Sequence, residues 1–205
     1  MTGDPDLELV KGCLSREPTV REESFAALFH KYENDVYNTA FRITGDAQLA
    51  YDASQETFLC VHQKLRHFRF QARFSSWLYR IAVNYSIDRK RKASKEPTIS
   101  SEGGGIGSAE VVTEAALVDR KSTSPERVLW DKEFESKVQE VVVKLSAPLR
   151  VVVVLRFISG LSYGEIGEVL DCSVGTVKSR LSRALKALEP QLARLLEESR
   201  KGSAR

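Results

Sequence analysis

The feature that most constrains this chain is a break in its apolar pattern. On both sides of the stretch from Ser94 to Ser124, apolar residues recur at intervals of three and four, the signature of helices that bury one face. Inside the stretch, Gly103, Gly104, Gly105 and Gly107 lie among Ser, Thr and Pro97 with no sustained stripe. Such a composition reads as a flexible linker of about thirty residues, with a transient helix near Ala109–Val118. Strand signals are scarce. The β-branched run Val151–Val154 lies within a longer helical pattern and is too isolated to build a sheet. The expected fold is all-α, two small helical domains covering residues 1–93 and 125–205, joined by the linker 94–124. The linker's composition predicts no fixed geometry between them.

In the first domain, Phe25, Leu28, Phe29, Tyr32 and Val36 mark one helix, and Thr44-Gly45-Asp46 supplies its stop and the next cap. A second helix spans about Asp46–Leu65. A third spans about Phe74–Lys92 and buries Leu78, Ile81, Ala82 and Tyr85. In the second domain, Ser124-Pro125 restarts helix, with serine as cap and proline at the first helical position. Helices then cover Pro148–Ser159, Ser162–Leu170 and Val174–Leu188. Ser162 and Glu165 have the spacing of a capping box.

Ser162–Leu170, a tight Asp171-Cys172-Ser173 turn and the following helix have the layout of a helix-turn-helix. Val174, Val177, Leu181, Ala184, Leu185 and Leu188 form the back of the second helix. Lys178, Ser179, Ser182, Arg183 and Lys186 form its front. From Ser173 to Leu188 there are four basic residues and no acid. A solvated surface helix usually mixes signs. A front of donors alone suits a major groove about 12 Å wide, edged by phosphates. A second basic block, Val61–Lys95, holds ten Lys/Arg against the single acid Asp88. Two such blocks in a chain of net charge +3 point to two contacts with a polyanion.

The wording of the second domain, from Leu149-Arg150 through Gly160-Leu161-Ser162-Tyr163-Gly164-Glu165-Ile166 to Val174-Gly-Thr-Val-Lys-Ser-Arg-Leu181, resembles region 4 of the extracytoplasmic-function (ECF) sigma factors. In the first domain, Asp52-Ala-Ser-Gln55-Glu56 and the later Trp77-Leu-Tyr-Arg80-Ile-Ala-Val-Asn84 resemble region 2 of the same family. The resemblance implies an ECF-type sigma factor that directs core RNA polymerase to promoters by reading −10 and −35 elements and melting DNA. It implies that Asp52, Gln55 and Glu56 dock on the β′ clamp helices, and that the second domain meets the β flap. It also implies that the loop Phe68, Arg69, Phe70, Gln71, Arg73 and Phe74, with Trp77, Arg80, Asn84 and Arg91 on the following helix, holds the −10 strand. At −35, Lys178, Ser179, Ser182 and Arg183 face the groove, joined by Thr176 and Lys186, while Arg180 serves phosphates or packing. An anti-sigma factor is left open as a third partner.

The residues suit that chemistry. Trp77, Arg80, Asn84, Asp88 and Arg91 share one helix face, and a ring, a guanidinium and an amide together can stack and read unstacked bases. Two departures stand out. Phe70-Gln71 occupies the place of the family's Gly-Glu or Gly-Asp, and Gly164 and Gly167 replace larger helix formers, at a cost in helix stability. A repressor or response-regulator output domain would share the helix-turn-helix but not the acidic patch. A nuclease is disfavoured because His30, His62 and His67 sit in no metal-ligand spacing and no nucleophile–base pair is legible. Cys13, Cys60 and Cys172 form no CxxC, so neither a metal, another cofactor nor a disulfide scaffold is expected. The acidic start and the lack of a membrane-length apolar run predict a cytoplasmic protein with no membrane insertion.

Overall fold

A computed structural model of the chain describes residues 4–94 and 125–202, with side chains in the second segment described over 134–197. Nearly all of the expected linker, its helix near 109–118 and the Ser124 cap lie outside the described residues. Among the described residues the secondary structure is helical, with no strand: α1 Leu7–Cys13, α2 Pro18–Thr44, α3 Ala47–Lys64, a 3₁₀ turn Leu65–His67, α4 Phe74–Ala93, α5 Pro125–Val143, α6 Ala147–Phe157, α7 Tyr163–Leu170 and α8 Val174–Gly202. Helix α1 is an addition to the sequence reading, being too short to show a period. Helix α8 continues through Pro190, well past the expected end.

The first unit packs α1 to α4 around Val10, Leu28, Val36, Val61, Phe74, Leu78 and Ala82, all nearly inaccessible. Of the expected α4 stripe, Leu78 and Ala82 are fully buried, while Ile81 and Tyr85 are partly covered. The expected stop holds: Gly45 takes φ +75°, its amide donates to the Phe41 carbonyl at 2.8 Å, and Asp46 Oδ1 accepts from the Leu49 amide at 2.8 Å. In the second unit the capping box forms in full: the Ser162 amide donates to Glu165 Oε2 at 2.8 Å and the Glu165 amide to Ser162 Oγ at 3.3 Å. Gly167 gains a reason. A Cβ there would lie 2.9 Å from the Cys172 carbonyl oxygen, so the tight turn into α8 excludes a larger residue.

The two units do not stay apart. Ile43, Tyr79 and Val83 of the first join one continuous core with Val151, Val152, Val154, Leu155, Leu161 and Ile166 of the second. This is why Val151 to Leu155 can all be buried: α6 is covered on both sides, and packing overrides the β-branched residues' modest helix propensity. Polar groups close the joint. Arg150, only 6% exposed, donates to the carbonyls of Ile43 at 2.6 Å and Leu145 at 2.7 Å, and also to Val143. Lys90 donates to the Thr44 carbonyl at 2.8 Å and Arg42 to Gln139 Oε1 at 3.2 Å. Arg150 and Lys90 thus sit on the carbonyl end of α2, where a helix dipole favours cations. Gly45 takes part as well, since a Cβ there would stand 2.7 Å from Val143 Cγ2. The expectation of no fixed geometry does not hold in this structure, because linker composition carries no information about the apolar faces that meet here.

Candidate nucleic-acid and polymerase interface

Three surfaces carry the residues singled out from sequence. On α3, Asp52 and Glu56 stand one turn apart and share one partner, Arg89 of α4, which pairs closely with Glu56 and lies 4.0 Å from Asp52. Gln48 Nε2 also donates to Asp52 Oδ1 at 3.0 Å. The acids are therefore held in place, half-buried, while Gln55 projects freely beside them. Tyr51 and Leu59 are 53% and 61% exposed and lie one turn before and after Gln55, so the patch has an apolar component. Sequence reasoning passed over both. Their signal was apolar residues at i and i+8 on a face otherwise polar.

The second surface is the loop before α4. Phe68 and Phe74 are 8% and 1% exposed and belong to the core of the first unit; they anchor the loop's two ends. Arg69, Phe70 and Gln71 project outward. Phe70 has φ +56°, in the left-handed region that favours glycine, and its ring meets Phe68 edge-on at 5.0 Å. Glycine would meet this backbone requirement freely, whereas phenylalanine meets it under strain. Trp77 packs one side against Phe68, 5.3 Å between ring centres, and lends the other to a cleft of about 450 Å³. Arg69, Gln71 and Arg80 line the same cleft, and Asn84 is exposed a turn farther along α4. Arg91 pairs with Asp88 at 3.1 Å.

The opposite wall of this cleft comes from α7. Glu168 and Asp171 line it, Arg80 donates to the Glu168 and Val169 carbonyls, and Arg73 pairs with Glu165 at 2.8 Å. Burial raises the Glu165 pKa, but hydrogen bonds from Ser162 and the charge of Arg73 outweigh it and hold the carboxyl below the ordinary glutamate range. The second unit therefore sets acids and helix-end carbonyls against the guanidinium groups of the first.

The third surface is α8. Ser173 caps it, its Oγ accepting from the Thr176 amide at 3.1 Å. Val177, Leu181, Ala184 and Leu188 are buried, as the pattern requires. Val174 and Leu185, expected behind, are 41% and 43% exposed, because the helix turns them toward the edges of the stripe. Lys178, Ser179, Ser182, Arg183 and Lys186 are all exposed, Thr176 and Arg180 partly so. Arg183 Nε folds back on the Ser179 carbonyl at 3.3 Å. Leu185 lies in a shallow cleft with Lys178, Ser182 and Lys186.

Residues 28–96 match the family model of sigma-70 region 2, and residues 135–188 that of sigma-70 region 4. The ECF RNA polymerase sigma factor SigW of Bacillus subtilis (strain 168) is 34% identical over 171 residues, 83% of this chain and 90% of that protein. This chain belongs to the ECF sigma factors. The RNA polymerase sigma-H factor of Pseudomonas aeruginosa is 33% identical over 199 residues, covering 97% of this sigma factor and all, 100%, of that one. The fold is shared with CnrH, solved in complex with the cytosolic domain of CnrY, at a TM-score of 0.64 and 22% identity over 92% of this chain and 97% of that one. It is shared also with RpoE of Bartonella quintana, solved with the anti-sigma factor NepR, at a TM-score of 0.62 and 23% identity over 83% and 98%. The sigma factor is a regulatory subunit for promoter-specific initiation by RNA polymerase. Among its described residues no helix is long and apolar enough to cross a membrane.

Proposed function

We propose that this sigma factor works by binding alone, with no catalytic step of its own, and divides its surfaces as follows. Asp52, Gln55 and Glu56, with Tyr51 and Leu59, dock on the β′ clamp helices of cytoplasmic core polymerase. The Arg69–Arg73 loop encloses an extruded −10 base, Trp77 and Arg80 form its wall, and Asn84 reads beside it. Phe68 and Phe74 shape the loop from within. The α8 front reads −35, and the second unit meets the β flap. A partner of the anti-sigma kind, such as NepR is for RpoE of Bartonella quintana, stabilises an inactive state.

The observation that carries this reading is the contrast between the two DNA surfaces. The α8 front is open in the free protein, whereas the −10 cleft is walled by α7, which holds Arg80 of the cleft and Arg73 of the neighbouring loop. Contact at −35 therefore needs no movement of one unit against the other, only side-chain adjustment such as that of Arg183, and loading the −10 strand requires α7 to withdraw. Breaking base pairs costs a few kcal/mol, which contacts to the extruded base offset. The test is Asn84→Ala in holoenzyme. It should slow opening of a duplex promoter more than it weakens binding to the same promoter mismatched across −10. Equal effects on both templates would remove Asn84 from strand reading.

A further inference from the structure

Helix α4 carries the −10 face, yet it has no cap of its own. The residue before it, Arg73, makes no side-chain capping bond, although Ser, Thr, Asp or Asn is the usual occupant there. The missing acceptor comes from the far end of the unit. Asp4 Oδ2 accepts from the Phe74 amide at 2.7 Å, seventy residues away in sequence. The other oxygen, Asp4 Oδ1, accepts from the Asp6 amide at 3.0 Å, and the Leu7 amide donates to the Asp4 carbonyl at 3.1 Å. Asp6 in turn is wholly buried, takes a 2.6 Å bond from the Tyr32 hydroxyl and pairs with Lys31. A chain of bonded groups thus runs from α2 through Asp6 and Asp4 to the first amide of α4.

We propose that Asp4 is a positioning residue for −10 recognition, capping α4 from the N-terminal segment and fixing the joint between the base-enclosing loop and the reading helix. The proposal rests on the −10 role given above to that loop. Two physical facts make the joint matter. Phe74 is the last loop residue and the first of α4, so a bond to its amide sets the angle at which the loop leaves the helix. The carboxylate also lies at the positive end of the α4 dipole, which strengthens the bond. When α7 withdraws for DNA loading, Arg73 gives up Glu165, and the bond from Asp4 stays with the first unit.

The experiment uses holoenzyme formed with full-length Asp4→Ala, Asp4→Asn and Asn84→Ala, on a duplex promoter that wild-type holoenzyme selects from a randomised library. Asn and Asp cap about equally well, and loss of a cap typically corresponds to roughly fivefold in an equilibrium. Asp4→Ala should therefore open the duplex about fivefold less well and accept a wider set of −10 bases, while core affinity and binding to a −35 fragment stay at wild-type levels. Asp4→Asn should restore opening to within about twofold. Circular dichroism at the assay temperature establishes that each variant is folded. Wild-type opening by Asp4→Ala, an Asp4→Asn as defective as Asp4→Ala, or an equal loss at −10 and −35 would each overturn the proposal. If Asn84→Ala slows opening and Asp4→Ala does not, the positioning role alone fails. If neither slows it, the −10 reading fails with it.

Discussion

Phe70 offers a sign test of the loop geometry. An L-residue other than glycine in the left-handed region costs roughly 1–2 kcal/mol, and Phe70 sits there at φ +56°. Replacing it by alanine removes the ring, with its edge contact to Phe68, but keeps the Cβ and so keeps the strain. Replacing it by glycine removes both. In an ordinary helix or strand the alanine variant would be the more stable, because glycine loses about 0.4–1 kcal/mol more chain entropy on folding. Here the relief of strain should exceed that term. Phe70→Gly should be more stable than Phe70→Ala by about 0.5–1 kcal/mol, or about 2–4 °C in melting temperature per kcal/mol for a chain of this size. Against wild type, Phe70→Gly should lie within about 1 kcal/mol, since the lost aromatic pair is worth about 0.5–1.5 kcal/mol. Urea melts of the three proteins followed by circular dichroism measure this directly. An alanine variant equal to or more stable than the glycine variant would show that the loop relaxes out of the left-handed region. The strained joint would then not be what distinguishes this loop. Pairing Phe70→Gly with Gln71→Glu should also shift the −10 bases selected in a randomised transcription library.

Gln55→Ala with Glu56→Lys should weaken co-purification with core polymerase while the first unit stays folded, at some loss of melting temperature because Glu56 is half-buried and pairs with Arg89, whereas Gln55 is exposed. Arg183→Ala should weaken −35 binding by about 1–3 kcal/mol if the guanidinium swings from the Ser179 carbonyl onto a base, and an equal loss on every −35 sequence would assign it to phosphate. Arg150→Ala should loosen the joint between the units, since it strips a buried donor from three carbonyls at a cost of about 3 kcal/mol or more; small-angle scattering should show a compact wild type and an expanded variant. Burial, with the charge of Arg150 beside it, lowers the Lys90 pKa to about 8, so the folded state binds fewer protons than the unfolded one between about pH 8 and 10. Stability should therefore rise with pH across that window relative to Lys90→Met, and parallel curves for the two proteins would refute the assignment.

Local rules were enough for much of this sigma factor. Gly45 and Asp46 end one helix and start the next, and Ser162 closes on Glu165, because caps and stops depend on residues within a turn of each other. The back of α8 could be read for the same reason, since Val177, Leu181, Ala184 and Leu188 fall at one phase of a helix. The charge of its front, the acids of α3 and the order of residues leading into α4 needed no coordinates either.

Tertiary structure decided what depends on two distant segments meeting. Tyr79 and Val83 lie off the stripe that sequence marks on α4, and only the arrival of the second unit, with α7 against α4, makes them core. Arg150 looks like a surface cation in sequence, but carbonyls of α2, of α5 and of the turn after α5 surround it. Gly167 looks like a weak helix former until the turn beneath it brings a carbonyl to 2.9 Å of where a Cβ would stand. The covering of Arg73 and Arg80 by α7, and the cap that Asp4 supplies to α4, are bonds across about seventy to ninety residues of sequence. Sequence periodicity reports which face of a helix is apolar, whereas these contacts depend on which helix comes to lie against it.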